Sequence, residues 1–112
     1  MTSENPENAV VVVATAEAAP GQEEKVEQAF RTAVRAVHGE PGCLLYALHR
    51  DPRSPSTFVM VEKWASLEAL RDHGRAPALT ELGATLKDLL AAPLEVRTLI
   101  PVPEGDERLG RV

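Results

Sequence analysis

The chain has one cysteine, one tryptophan, one tyrosine and two phenylalanines among its 112 residues. A single cysteine excludes an intrachain disulfide and any multi-cysteine zinc or iron–sulfur site, and it fits a reducing compartment. Basic residues are also in short supply: 12 Lys and Arg against 17 Asp and Glu leave a net charge of −5. They are scattered, without the basic face of a nucleic-acid binder. The longest early apolar run, Ala9 to Ala14, falls far short of a membrane span. Met1 to Asn8 is polar and acidic and lacks the basic and apolar regions of a secretory signal. A cytoplasmic protein with no nucleic-acid or membrane partner is expected. The glycines form neither G-x-G-x-x-G nor a phosphate loop, and no G-x-S-x-G elbow occurs. No bound flavin, nicotinamide or other cofactor is therefore expected.

What is present is a clear alternation of strand and helix signals. Ala9–Glu17 is rich in β-branched side chains and reads as a strand. After the Pro20-Gly21 turn, Val26, Ala29, Phe30, Ala33, Val34 and Val37 repeat at helical spacing within Gln22–His38. Glu27 and Arg31 are spaced to pair on the outer face. Gly39 and Pro41 end that helix, and Glu40-Pro41-Gly42-Cys43 suits a type II turn. Cys43–Arg50 and Ser56–Ala65 read as a hairpin joined by Asp51–Pro55. Ser66 is placed to cap a short helix over Leu67–Gly74, and Pro77 to start another carrying Leu79, Leu82, Leu86, Leu89 and Leu90. Leu94–Val102 reads as a last strand.

The order β-α-β-β-α-β is the split βαβ, or ferredoxin-like, pattern: an α+β fold with a four-stranded antiparallel sheet and its helices on one face. A domain over 9–102 is expected between a flexible N-terminal tail, 1–8, and a loose, charged C-terminal tail, 103–112. The strands are apolar on both faces: Val10, Val12 and Ala14 against Val11 and Val13; Leu44, Tyr46 and Leu48 against Leu45 and Ala47; Phe58 and Met60 against Val59 and Val61. A sheet with one wet face alternates apolar and polar residues, and the helices cover only one side. The other side is expected to meet a second copy, giving a homodimer through the sheet faces.

An ordered set of short pieces resembles the antibiotic biosynthesis monooxygenase (ABM) family of dimeric α+β barrels. It comprises Pro20-Gly21, Glu40-Pro41-Gly42-Cys43-Leu44 with Tyr46, His49-Arg50-Asp51, Glu62-Lys63-Trp64, and Ser66 with Ala69-Leu70 and His73. The resemblance runs from about Ala9 to Val102. It implies a cofactor-independent monooxygenase acting on quinols or polycyclic phenols. Haem-degrading relatives use an Asn on the first strand and a Trp and a His on the second helical region. Here Ala9–Glu17 has no Asn, His73 stands at the Trp position, and the Leu-rich helix has no His. Many relatives also carry a Phe where this chain has Ala78 and Leu79.

Three residues stand out as candidates for chemistry. Trp64 is either a core aromatic or a flat wall for a substrate ring, with its indole N–H free for a substrate oxygen. His73 reaches the inner edge of its helix, where it is either bonded to backbone or able to take a phenolic proton. Glu62, in an apolar strand, needs a partner: an Arg or Lys, or His73, which it would orient, unless it is itself the base. Tyr46, Phe58, Met60, Leu70 and Leu79 complete the expected substrate-binding set. Tyr46 and His49 should face opposite sides of the sheet. His38 should be solvated at its helix end, and Cys43 a small core residue. A metal site built from His49, Glu62 and His73 has no recognised spacing, and none is expected.

The expected function is oxidation of a quinol or anthrone-like phenol by O₂, with a small aromatic substrate held by these residues. The alternatives are a non-catalytic dimer of the same fold that binds a small hydrophobic ligand, and an isomerase or decarboxylase using the same base.

Overall fold

A computed structural model describes residues 8–112. The expected tail at 1–8 thus lies outside the described residues except for Asn8. Seven elements follow in order: β1 (Val10–Glu17), α1 (Glu23–Val37), β2 (Cys43–Asp51), β3 (Ser54–Trp64), α2 (Leu67–Arg75), α3 (Pro77–Leu86) and β4 (Glu95–Leu99). The strands form one antiparallel sheet in the order β2-β3-β1-β4, the ferredoxin-like arrangement anticipated from the sequence.

Direct cross-strand partners share a face, which sorts the sheet. Val10, Val12, Ala14 and Ala16 of β1 oppose Trp64, Glu62, Met60 and Phe58 of β3. Tyr46 and Leu48 of β2 oppose Glu62 and Met60. This face packs under Val26, Phe30, Ala33 and Val37 of α1 and Leu82 and Leu86 of α3, forming the core. The other face presents Leu45, Ala47 and His49, then Val59, Val61 and Lys63, then Val11 and Val13, then Leu99.

Several boundaries differ from the sequence reading for identifiable reasons. The hairpin is tighter than Asp51–Pro55, because Asp51 pairs with Ser54 and its side chain accepts a hydrogen bond from the Arg53 amide at 2.8 Å. A bulge between Cys43 and Leu45 breaks the strict alternation and turns Cys43 to the face of Trp64. Pairing of β4 ends at Leu99, short of the expected Val102, and Pro101 and Pro103 have no amide proton with which to extend it. Leu89 and Leu90 lie beyond α3. There the Leu89 carbonyl accepts from the Ala19 amide, and the Ala91 amide donates to the Glu17 carbonyl, hooking the chain onto the end of β1.

The C-terminal segment carries hydrogen bonds of its own and one to the sheet. The Asp106 carboxylate accepts from the Arg108 and Leu109 amides, and Lys63, on the open sheet face, donates to the Val112 carbonyl at 2.8 Å. No helix among the described residues is long and apolar enough to cross a membrane.

Candidate active site

Between the sheet and the helices lies a cavity of about 310 Å³. Its walls are mostly apolar: Val12, Ala14 and Met60 from the sheet floor, Phe30 from α1, and Leu70, Leu79 and Leu82 from the second helical region. Among the described residues, polar side chains enter only from Tyr46, Glu62, His73 and Thr98, and no lysine or arginine lines it. Leu94 and Val96 border the cavity at the β4 edge, where Val96 is 56% exposed. A larger groove of about 780 Å³ runs outside, between α1 and α3, but it is edged by Glu24, Lys25 and Glu81 and holds none of the buried titratable groups.

His73 is brought in by α2. The Ser66 hydroxyl accepts from the Ala69 amide at 3.1 Å and fixes the start of that helix. The last turn of the helix then carries His73 inward, 5% exposed. Its imidazole lies nearly flat on the Trp64 indole, with centroids 4.5 Å apart and planes 28° apart. Tyr46 meets both rings edge-on, at 5.5 Å from His73 and 6.3 Å from Trp64. At Nδ1, His73 is bonded to Glu40 Oε1 at 2.8 Å.

Glu62 has its own partner. The Trp64 indole N–H donates to Glu62 Oε1 at 2.9 Å, between residues two apart on one face of β3. Burial holds the Glu62 carboxyl above the usual carboxylate range; the indole bond and the nearby His73 pull it down, and the charge of Glu40 pushes it up. Burial likewise raises the Tyr46 hydroxyl well above the usual phenol range, with Glu62 and Glu40 adding to the effect. Near neutral pH Tyr46 therefore keeps its proton and is a donor.

Of the expected site residues, Tyr46, Met60, Glu62, Leu70, His73 and Leu79 line the cavity. Two do not. Trp64 is fully buried behind His73, and its N–H is committed to Glu62 rather than free for a substrate. Phe58 packs against Phe30, with ring centroids 6.4 Å apart, at the other end of β3. The partner of Glu62 is an indole, not an Arg or Lys, and the carboxylate bonded to His73 is Glu40, not Glu62. The sequence reading missed Glu40. Its signals in the sequence are the Glu-Pro-Gly turn and that turn's place in the family resemblance, and neither gives its side chain a role.

The remaining candidates lie elsewhere. His49 is exposed on the open face, its Nδ1 against the Ala47 carbonyl, and so cannot join Glu62 and His73. No group of three or more His, Cys, Asp or Glu among the described residues is placed to hold a metal ion. His38, though exposed, is not simply solvated: its Nε2 lies 3.0 Å from the Tyr46 carbonyl. Cys43 packs on the core edge, its thiol raised by burial.

The comparisons with known proteins agree with this architecture. Residues 9–84 match the family described as antibiotic biosynthesis monooxygenase. YcnE of Bacillus subtilis, named a candidate monooxygenase, is 30% identical over 87 residues, covering 78% of this chain and 92% of its own. The protein sll1783 of Synechocystis is 28% identical over 88 residues, 79% of this chain; the match spans only 60% of that relative's length. Among solved structures, PA3566 from Pseudomonas aeruginosa is similar with a TM-score of 0.81 at 28% identity, covering 88% of this chain and 98% of its own. Rv0793 from Mycobacterium tuberculosis gives 0.82 at 24% identity, covering 88% and 100%, a likeness of fold.

Proposed function

The chain belongs to the antibiotic biosynthesis monooxygenase family, and we propose that it oxidises a small, uncharged, electron-rich aromatic, a quinol or anthrone-like phenol, with O₂ and no cofactor. One observation carries this reading: an apolar cavity with His73, Glu62 and Tyr46 on its wall and, among the described residues, no lysine or arginine to hold an anionic substrate. The name given to YcnE supports the reaction class.

In this reading His73 takes the acidic proton of the bound substrate. The resulting anion passes one electron to O₂, and the substrate radical and superoxide combine to form a C–O bond. The proton returned from His73 completes a hydroperoxide. That intermediate loses water to leave a carbonyl, so one oxygen atom enters the product and the other leaves as water. The Tyr46 hydroxyl donates to the substrate oxygen. Trp64 acts from behind: an imidazolium over an indole face is favoured by the ring quadrupole. The helices and sheet keep water from the reactive anion.

We also propose a second copy of the chain against the open sheet face. The support is the row of apolar side chains there, Leu45, Ala47, Val59, Val61, Val13 and Leu99, on the side opposite the helices.

Oxygen uptake with a panel of quinols and anthrones tests the reaction. The expected result is consumption above the buffer rate, falling by roughly 10²–10⁴-fold in His73→Ala. Rates equal to buffer for every substrate, with saturable ligand binding, would replace this reading with that of a non-catalytic binding protein.

A further inference from the structure

The geometry points to Glu40 as a positioning residue that fixes His73 in one tautomer and offers its Nε2 to the cavity. This rests on the reading of His73 as the base.

The sequence between α1 and β2 is built to deliver this carboxylate. The Glu40 amide donates to the Val37 carbonyl at 2.9 Å, and the Cys43 amide donates to the Glu40 carbonyl at 3.2 Å, closing the turn. Gly42 sits at φ +80°, a conformation that favours glycine. A side chain there would also collide, because a Cβ on Gly42 would stand 2.5 Å from the Ala69 Cβ. The turn therefore presses directly on α2, and Ala69 is one helical turn before His73 on the same side. The Ala65 amide, donating to the Gly42 carbonyl at 2.8 Å, ties the same turn to the end of β3 beside Trp64. Turn, strand end and helix are thus locked together around the imidazole.

The ring is held at its face by Trp64 and at Nδ1 by Glu40. A carboxylate only accepts, so the hydrogen bond of 2.8 Å places the proton of the neutral ring on Nδ1 and leaves Nε2 bare. Among the described residues Nε2 has no hydrogen-bond partner, and the side chain lines the cavity. Once Nε2 takes a proton, the ring becomes a cation already in contact with a carboxylate. The Glu40 side chain is 15% exposed and that of His73 5%, so this contact is shielded from water, which strengthens it. Glu62 makes no hydrogen bond to His73 and leaves this role to Glu40.

The test uses the full chain with ¹⁵N-labelled histidine and reads the ring nitrogens by long-range ¹H–¹⁵N spectra at a pH where the imidazole is neutral. The wild-type His73 ring is expected to carry its proton on Nδ1. Glu40→Gln keeps the shape but offers a donor as well as an acceptor, so the ring should spread over both tautomers. With a substrate that consumes O₂, the same variant should lose ~10–100-fold in kcat with little change in KM, as when an orienting partner is lost. A wild-type ring protonated on Nε2 overturns the proposal without any variant. So does a Glu40→Gln protein whose ring and kcat match wild type. Absence of oxygen uptake on every phenol defeats the proposed reaction instead, while the tautomer measurement still decides the role of Glu40.

Discussion

The imidazole of His73 rests on the indole of Trp64 at 4.5 Å, and that same indole donates its N–H to Glu62. One buried aromatic thus supports the candidate base from behind and supplies the hydrogen bond that a buried carboxyl requires. Its role is to hold the site together, without touching the cavity.

Trp64→Phe should therefore be destabilising even though an aromatic ring remains. Glu62 loses its donor, and a buried polar group left without a partner costs about 1–3 kcal/mol. Urea denaturation should show a lower midpoint. An unchanged midpoint would mean that water replaces the indole at no cost.

Glu62 makes stability depend on pH. Its carboxyl is held in the fold above the usual carboxylate range, chiefly by burial. The folded chain then holds a proton that the unfolded chain has already released. The stabilising contribution is complete below the unfolded value and is lost as pH rises through the folded value. Glu62→Gln removes this dependence while keeping an oxygen to accept the Trp64 N–H. Denaturation measured across pH 4 to 8 should show the variant gaining on wild type as pH rises, then running parallel. A constant difference over the whole range would refute the raised value.

The open sheet face sets the expected assembly. Sedimentation velocity at micromolar concentration should show a dimer. Val61→Lys should give a folded monomer, since Val61 sits on that face between Val13 and Ala47 and a charge buried there carries a heavy desolvation penalty. A wild-type monomer at that concentration would remove the second copy.

Much of this was legible in the chain itself. Helical spacing from Val26 to Val37 and the Pro and Gly stops around it define α1, because those features act through local backbone geometry. Period-two alternation puts Met60 and Glu62 on one face of their strand and Tyr46 and His49 on opposite faces of theirs, and helical spacing puts Leu70, His73 and Leu79 on the inner edge of the helices. Alternation gives the face of a strand but not the depth along it. Phe58 and Trp64 share the face of Met60, yet one lies against Phe30 and the other under α2, so neither reaches the cavity.

By itself, then, the sequence determined the order of elements, the two apolar faces of the sheet and the pool of residues available for chemistry, since each depends on near neighbours and on a regular repeat. Which side chains become partners depended on how the elements pack. Glu40 and His73 are 33 positions apart and come within 2.8 Å because a glycine turn docks on a helix. Contacts of that kind arise from packing between elements, and no periodicity within either segment encodes them.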